Sequence, residues 1–185
     1  MIMNTNAPTR TQGQAKMYSE QLNKAMRMLA KRPDTLFVGQ AVKYPGQAAF
    51  KTFDGVPMDR RIEMPVAEDF QMGFCTGLAL EGFIPICFYP RWDFLLIAAN
   101  QLVNQLDKLP MMGWHPKVII RTAVGRKEPL DPGPQHTQNH TDAFRKMLKT
   151  VRVVEIKRHD DAVQIYRNAL NAYKSTIVVE HMSCY

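Results

Sequence analysis

Within these 185 residues, a small set of side chains has the chemistry to act on a ligand. Glu68 puts a carboxyl group at the front of a segment rich in small residues, Gly73-Phe74-Cys75-Thr76-Gly77-Leu78-Ala79. A carboxyl group there can hold or pass a proton. It can equally cap a helix or offset its dipole. His136, in Gln135-His136-Thr137-Gln138, is a hydrogen-bond donor or proton carrier near neutral pH, or an ordinary surface histidine. Trp92 and Phe94 flank Asp93 just after Pro90. Their flat faces suit stacking on a ring or filling a core. His136 and His140 have the i, i+4 spacing of two metal ligands on one helix face. Pro134 opens that stretch, however, and there is no H-E-x-x-H and no clear third ligand, so no metal site is expected. Residue type and spacing alone leave each of these alternatives open.

The common signatures are missing. There is no G-x-G-x-x-G and no G-x-x-x-x-G-K-[ST] to cradle phosphates. There is no G-x-S-x-G turn to carry a serine nucleophile. Cys75, Cys87 and Cys184 form no C-x-x-C pair. That argues against a disulfide scaffold or a cysteine zinc cage, and for a reducing, cytoplasmic setting.

The elements that must carry these residues alternate. Residues 1–15 are expected as a flexible, Asn/Thr/Gln-rich tail. In 16–32, Leu22, Ala25, Met26 and Leu29 fall on one helical face, and Pro33-Asp34 ends the helix. A buried strand is expected at 35–39 and a long polar loop at 43–59. A short strand follows at 61–64, then a strand-to-helix junction over 65–80. Strands are expected at 84–89, 117–121, 152–156 and 176–180, and helices at 93–107, 141–149 and 160–173. The loop 122–140 is rich in Pro and Gly. Strands apolar on both faces, alternating with helices, predict an α/β fold: a doubly wound, mainly parallel sheet with helices on both faces, in one domain over 16–185. Ligands of such sheets sit beyond the carboxyl ends of the strands. The loops 40–58, 65–69, 89–93 and 122–140 are therefore where a site belongs, and Glu68, Trp92, Phe94 and His136 all fall within or beside them.

Composition sets the outer bounds. With 45% hydrophobic and 22% charged residues, the chain can build a real core. No apolar run is long enough to span a bilayer. The N-terminus lacks the apolar stretch of a secretory signal. The 24 Lys and Arg against 17 Asp and Glu give a formal charge of +7. These bases are scattered rather than clustered, which argues against a nucleic-acid footprint. An anionic ligand or an acidic partner accounts for the charge equally well.

The order and local sequence of the pieces resemble the pyrimidine-binding domain of thiamine diphosphate enzymes. The likeness is strongest to the beta subunit of the 2-oxo-acid (pyruvate and branched-chain) dehydrogenases, with transketolase more distant. Met17-Tyr18-Ser19-Glu20-Gln21-Leu22 resembles the family's opening helix, and Leu36-Phe37-Val38-Gly39-Gln40 its first strand and turn. The segment from Arg61 to Glu68 is similar to the one that ends on the family's conserved Glu. Gly82-Phe83-Ile84-Pro85-Ile86, Asn100-Gln101-Leu102-Val103-Asn104, Gln135-His136-Thr137-Gln138 and the closing Glu180 to Tyr185 are similar to further family segments. The likeness runs from about residue 16 to the last residue.

The resemblance implies a cofactor, thiamine diphosphate with Mg²⁺, and a role for each residue. Glu68 would hydrogen-bond the pyrimidine ring nitrogen and so promote loss of the thiazolium proton. Phe94 would pack on the ring, with Trp92 and Pro90 beside it. His136 would face the substrate, a 2-oxo acid or a sugar. Gln135 and Gln138 would support that loop, and Asn100 and Gln101 would sit at a subunit contact. Three departures from the family pattern stand out. Gln40 occupies a position usually held by Glu, which puts any proton relay between paired sites in doubt. Pro129 to Pro134 make the loop before His136 longer and stiffer. The family's C-terminal domain is not present, nor is the G-D-G motif with its downstream Asn that binds Mg²⁺ and diphosphate. The resemblance thus implies an alpha-type, diphosphate-binding partner that holds the Mg²⁺, in a hetero-oligomer such as α2β2. The alternative is a non-catalytic scaffold or regulatory module that keeps the fold.

Overall fold

A computed structural model describes residues 12–127, 131–158 and 161–184. Six strands form one sheet: β1 (Thr35–Gly39), β2 (Arg61–Glu63), β3 (Ile84–Phe88), β4 (Ile119–Val124), β5 (Arg152–Glu155) and β6 (Thr176–His181). Their order is β2-β1-β3-β4-β6-β5, and every pairing is parallel. The helices are α1 (Gln12–Leu29), α2 (Glu68–Leu80), α3 (Trp92–Leu95), α4 (Thr141–Met147) and α5 (Ala162–Asn171). The expected class, an α/β fold with a parallel sheet, is the one observed.

Strand side chains alternate between the two faces, and the alternation divides the core in two. Phe37, Ile86, Phe88, Ile119 and Val178 pack with Tyr18, Leu22, Met26 and Leu29 of α1 and with Tyr166 and Leu170 of α5. Their neighbours Val38, Cys87, Ile120, Ile177 and Val179 pack with Met72 and Cys75 of α2, Trp92 and Leu95 of α3, and Phe144 of α4. Strands buried on both faces explain the unbroken apolar runs in the sequence.

Several boundaries differ from expectation. Helix α1 begins at Gln12, so residues 12–15 are helical rather than tail; residues 1–11 lie outside the described residues. The helix expected over 93–107 is broken. It runs as α3, a 3-10 turn at Leu96–Ala98 and a π-helical stretch at Gln101–Leu106, and the Asp107 N–H reaches back to the Leu102 carbonyl at 2.9 Å. The long loop after β1 contains a 3-10 helix at Ala48–Phe53 and another at Met58–Arg60. Strand β4 extends to Val124, three residues beyond the expected end. The loop from Pro129 to Pro134 is described only from residue 131.

One buried ion pair ties the layers together. Arg121 of β4 donates through Nε and Nη2 to the two carboxylate oxygens of Glu180 on β6, at 2.8 and 3.0 Å. Its Nη1 donates to Thr52 Oγ1 at 2.8 Å. The Tyr166 hydroxyl of α5 donates to Glu180 Oε1 at 2.6 Å. The guanidinium lies 5.0 Å and 4.9 Å from the ring centroids of Phe53 and Phe88.

A second buried acid holds the broken helix in place. Asp107 is fully buried. Its carboxylate accepts the backbone N–H groups of Lys149, Thr150 and Val151 and pairs with Lys108 at 2.7 Å. Burial by itself would raise its pKa. The Lys108 ammonium and the three backbone N–H groups outweigh that, and the carboxyl titrates at about 2. A carboxyl whose pKa is lowered by folding stabilises the fold above its unfolded value, and that stability is lost as pH falls through the folded value. Asp107→Asn should therefore lower stability by roughly 2 kcal/mol at neutral pH. The gap between the variant and the parent chain should narrow as pH falls below about 4. Urea unfolding at pH 7 and pH 3 measures both; a gap that does not depend on pH would refute this role.

Candidate functional site at the carboxyl ends of the strands

From β1 the chain goes to β2 on one side and then to β3 on the other. The carboxyl ends of β1 and β3 thus flank the point where the strand order reverses, the usual ligand crevice of an open α/β sheet. Here the two strands approach closely. A Cβ added at Gly39 would lie 2.5 Å from the Phe88 carbonyl oxygen, so only glycine fits.

The turn after β1 is clamped by Glu63, the last residue of β2. Its carboxylate accepts the N–H groups of Ala41, Val42 and Lys43 at 2.5, 3.0 and 2.7 Å. Ala41 has a φ of 53°, a left-handed conformation that costs a non-glycine residue roughly 1–2 kcal/mol. Three charge-assisted hydrogen bonds offset that strain. The clamp fixes Gln40, whose Nε2 donates to Glu68 Oε1 at 3.3 Å. Glu68 opens α2 and is 6% exposed. Its backbone carbonyl accepts the Tyr89 hydroxyl at 2.9 Å, and Gln71, one turn on, donates to the Phe88 carbonyl at 2.9 Å. The turn that carries Glu68 is thereby tied to the end of β3.

A cleft of about 230 Å³ opens between these turns. Gln40, Ala41, Gly46 and Gln47 form one wall, Pro90, Arg91 and Phe94 the other, and His136 closes it. The Phe94 and His136 rings meet edge to face, with centroids 5.5 Å apart at 89°. His136 Nδ1 is buried without a hydrogen-bond partner. The His136 loop lies against the end of β4, where a Cβ added at Gly125 would fall 1.7 Å from the His136 carbonyl oxygen. Gln138 Nε2 donates to Asp93 Oδ1 at 2.8 Å and pins the loop to α3.

The structure brings Phe94, Pro90 and His136 together around one cleft. Glu68 is not in the lining; it stands behind the wall and meets it through Gln40. Gln138 bonds to Asp93, whereas Gln135 is exposed, and neither lines the cleft. Trp92 is placed differently. It is fully buried, its indole N–H donates to Thr141 Oγ1 at 3.1 Å, and its ring lies 4.9 Å from that of Phe144. The chain turns helical at Trp92, so residues 92 and 94 point to opposite sides of one turn. Trp92 therefore belongs to the core and not to a ring-binding surface. Gln101 donates to Asp69 at 3.5 Å and so braces α2, while Asn100 is exposed. Arg91 and Gln47 were not singled out from the sequence, although both lie in post-strand loops that were. No group of three or more metal-ligating side chains occurs among the described residues. A separate apolar cavity of about 110 Å³ lies at the opposite, amino ends of β4, β5 and β6.

The chain is an α/β domain whose parallel sheet opens a cleft at its reversal point, edged by Phe94 and His136 with Arg91 in one wall. The chain belongs to the transketolase pyrimidine-binding domain family, which matches residues 14–185. It is 26% identical over 129 residues to a pyruvate dehydrogenase E1 component subunit beta of Gracilaria tenuistipitata var. liui, covering 68% of this chain and 39% of that protein. It is 28% identical over 173 residues to the mitochondrial subunit beta of Ascaris suum, covering 89% of this chain and 46% of that one. The chain thus spans less than half the length of both relatives. Among solved structures it is similar to a split-gene transketolase described as an inactive beta4 tetramer, with a TM-score of 0.70 and 19% identity, covering 89% of this chain and 51% of that one. No helix among the described residues is long and apolar enough to cross a membrane.

Gln40→Glu tests the geometry at Glu68. The variant sets two carboxyl groups within hydrogen-bond reach, and like charges that close do not both ionise readily. The pair should titrate in two separated steps, one of them above the ordinary carboxyl range, in ¹³C NMR of the glutamate side chains. Two ordinary, independent titrations would show that the side chains do not meet.

Proposed function

We propose that this chain is the beta-type subunit of a thiamine diphosphate-dependent enzyme acting on a 2-oxo acid or a ketose. The observation that carries the reading is Glu68. It is a buried carboxyl group, held by Gln40, directly behind a cleft edged by Phe94 and His136. This donor set fits a protonatable aminopyrimidine ring. Phe94 offers an aromatic face. Glu68 offers one carboxyl group to exchange a hydrogen bond or proton with a ring nitrogen. His136 has a buried ring nitrogen without a partner, which can serve a substrate carbonyl or carboxylate oxygen. When bound, the cofactor supplies the nucleophilic carbon and the electron sink, while the protein contributes orientation and electrostatics.

The same reading gives the Mg²⁺ and the diphosphate to a separate alpha-type chain, in a hetero-oligomer such as α2β2. The relatives are named as subunits, which supports an assembly. So do exposed apolar side chains before α2, on it and after α3: Val66 is 80%, Phe70 60% and Ile97 59% exposed. Patches of this kind mark contact sites. The buried, unpaired thiols of Cys75 and Cys87 suit the cytoplasm we assign it to.

The test is reconstitution with an alpha-type partner, followed by assays of 2-oxo-acid decarboxylation and ketose transfer. Glu68→Gln should lower kcat by at least about a hundredfold, since a positioned acid or base contributes that much or more. An unimpaired variant would sink the assignment.

A further inference from the structure

The apolar cavity at the amino ends of β4, β5 and β6 has no part in the roles given to Glu68, Phe94 and His136. It holds about 110 Å³, of the same order as the roughly 150 Å³ of an engineered apolar cavity that takes up benzene. Its floor is dry. Leu106 and Val151 are 1% and 6% exposed, and Pro116 is buried with them. The aliphatic hydroxyl groups in the lining are committed to the protein itself. Thr150 Oγ1 donates to the Asp107 carbonyl at 2.7 Å. Ser175 Oγ donates to the Pro116 carbonyl and accepts the Val118 N–H, both at 2.9 Å. A polar molecule would find few partners there, whereas an apolar ring sheds its hydration at no such cost.

The rim is built otherwise. His115, Tyr173 and Lys174 line it and are exposed. The His115 and Tyr173 rings have centroids 4.9 Å apart at 47°, which offers edges and faces for a further ring to pack on. The charge around the cavity is one-sided. Its lining segments, taken as 105–117, 149–152 and 172–176, hold Lys108, Lys117, Lys149, Arg152 and Lys174 against one acid, Asp107. That acid is fully buried and is satisfied by three backbone N–H groups and Lys108. Lys117 donates to the Leu170 carbonyl. Lys149, Arg152 and Lys174 form no ion pair among the described residues. A dry cavity under a cationic rim favours a molecule with an apolar body and an anionic end.

We propose that this cavity binds a small aromatic carboxylate, with its ring on the apolar floor beside His115 and Tyr173 and its carboxylate toward Lys174. The site lies at the opposite ends of the strands from the Glu68 cleft, and the proposal does not depend on the functional reading above.

The test is ¹⁵N NMR of the full chain, titrated with benzoate, benzyl alcohol and acetate at constant pH and ionic strength. Benzoate should shift the Leu106, Val151 and Ser175 amides saturably. Acetate lacks the ring and should bind at least about tenfold more weakly. Benzyl alcohol keeps the ring without the charge and should bind about threefold more weakly, as an exposed ion pair adds little more than that. Lys174→Met should diminish the preference for benzoate over benzyl alcohol and leave benzyl alcohol unaffected, while Lys174→Arg should retain that preference. Circular dichroism checks that the variants are folded, and the ranking of the three probes on the parent chain stands without them. Lack of saturation by benzoate, shifts confined to other amides, or equal binding of benzoate and acetate overturns the proposal. So does an undiminished preference for benzoate in a folded Lys174→Met. Shifts of the same three amides on simple dilution of the free chain would show a second copy covering the cavity, and would overturn it as well.

Discussion

The constraint on which the rest depends is the buried pair of Arg121 and Glu180. Charges taken out of water need nearly complete satisfaction, and removing one partner leaves the other stranded. Here the satisfaction comes from four separate elements. Strands β4 and β6 supply the two ions, α5 supplies Tyr166, and the 3-10 helix after β1 supplies Thr52. The rings of Phe53 and Phe88 complete the shell around the cation. Such a pair need not add net stability over a well-packed apolar core, but it tolerates very few arrangements of its neighbours. A slip of β6 against β4, or a shift of the Ala48–Phe53 turn, would break several hydrogen bonds at once.

That arrangement reaches the cleft through two short connections. Gly46 and Gln47 immediately precede the turn that Thr52 and Phe53 anchor. Phe88 immediately precedes the Tyr89-Pro90-Arg91 segment on the opposite wall. Both walls are therefore set from the same buried cation. Glu63 adds the finer adjustment, drawing three successive N–H groups of the β1 turn around one carboxylate. Gly39 and Gly125 remove the side chains that would keep the strand ends and the His136 loop apart.

Much of this was legible in the sequence. The inner strands β1, β3, β4 and β6 were, because runs buried on both faces are rich in apolar residues, whereas the edge strands β2 and β5 are only partly buried and were marked by shorter apolar stretches. The loops bearing the site followed from the rule that ligands sit beyond strand carboxyl ends. Phe94, Pro90 and His136 meet at one cleft among those loops. The break in the helix after Trp92 was not legible, because Leu95, Ala98, Leu102 and Leu106 keep an apolar face through the 3-10 and π turns. Trp92 was misplaced for a related reason: which of two neighbouring aromatics faces the core depends on Thr141 and Phe144, some fifty residues away. Arg91 and Gln47 gave no signal, since lining a cleft is a property of several loops at once. Gly125 showed its purpose only when the His136 carbonyl lay against it.

Gln40, at a position where the resemblance implies an acid, gains a physical sense from the geometry. A carboxyl group that exchanges a proton with a ring needs a neighbour compatible with both its charged and its neutral form. A second carboxyl group is compatible with only one of them, because it must share a proton or pay for repulsion. An amide has a donor and an acceptor on one planar group. Its Nε2 can serve the Glu68 carboxylate, as it does here, and its Oε1 can serve the acid form after a simple rotation. The Gln47 hydrogen bond to the Gln40 backbone carbonyl, at 3.0 Å, fixes the backbone and leaves the amide free to turn. Glu68 can thus change protonation without a change in the charge of its partner. A neutral residue cannot pass a charge onward, so on the proposed reading any proton exchange by Glu68 would be local to its own carboxyl group.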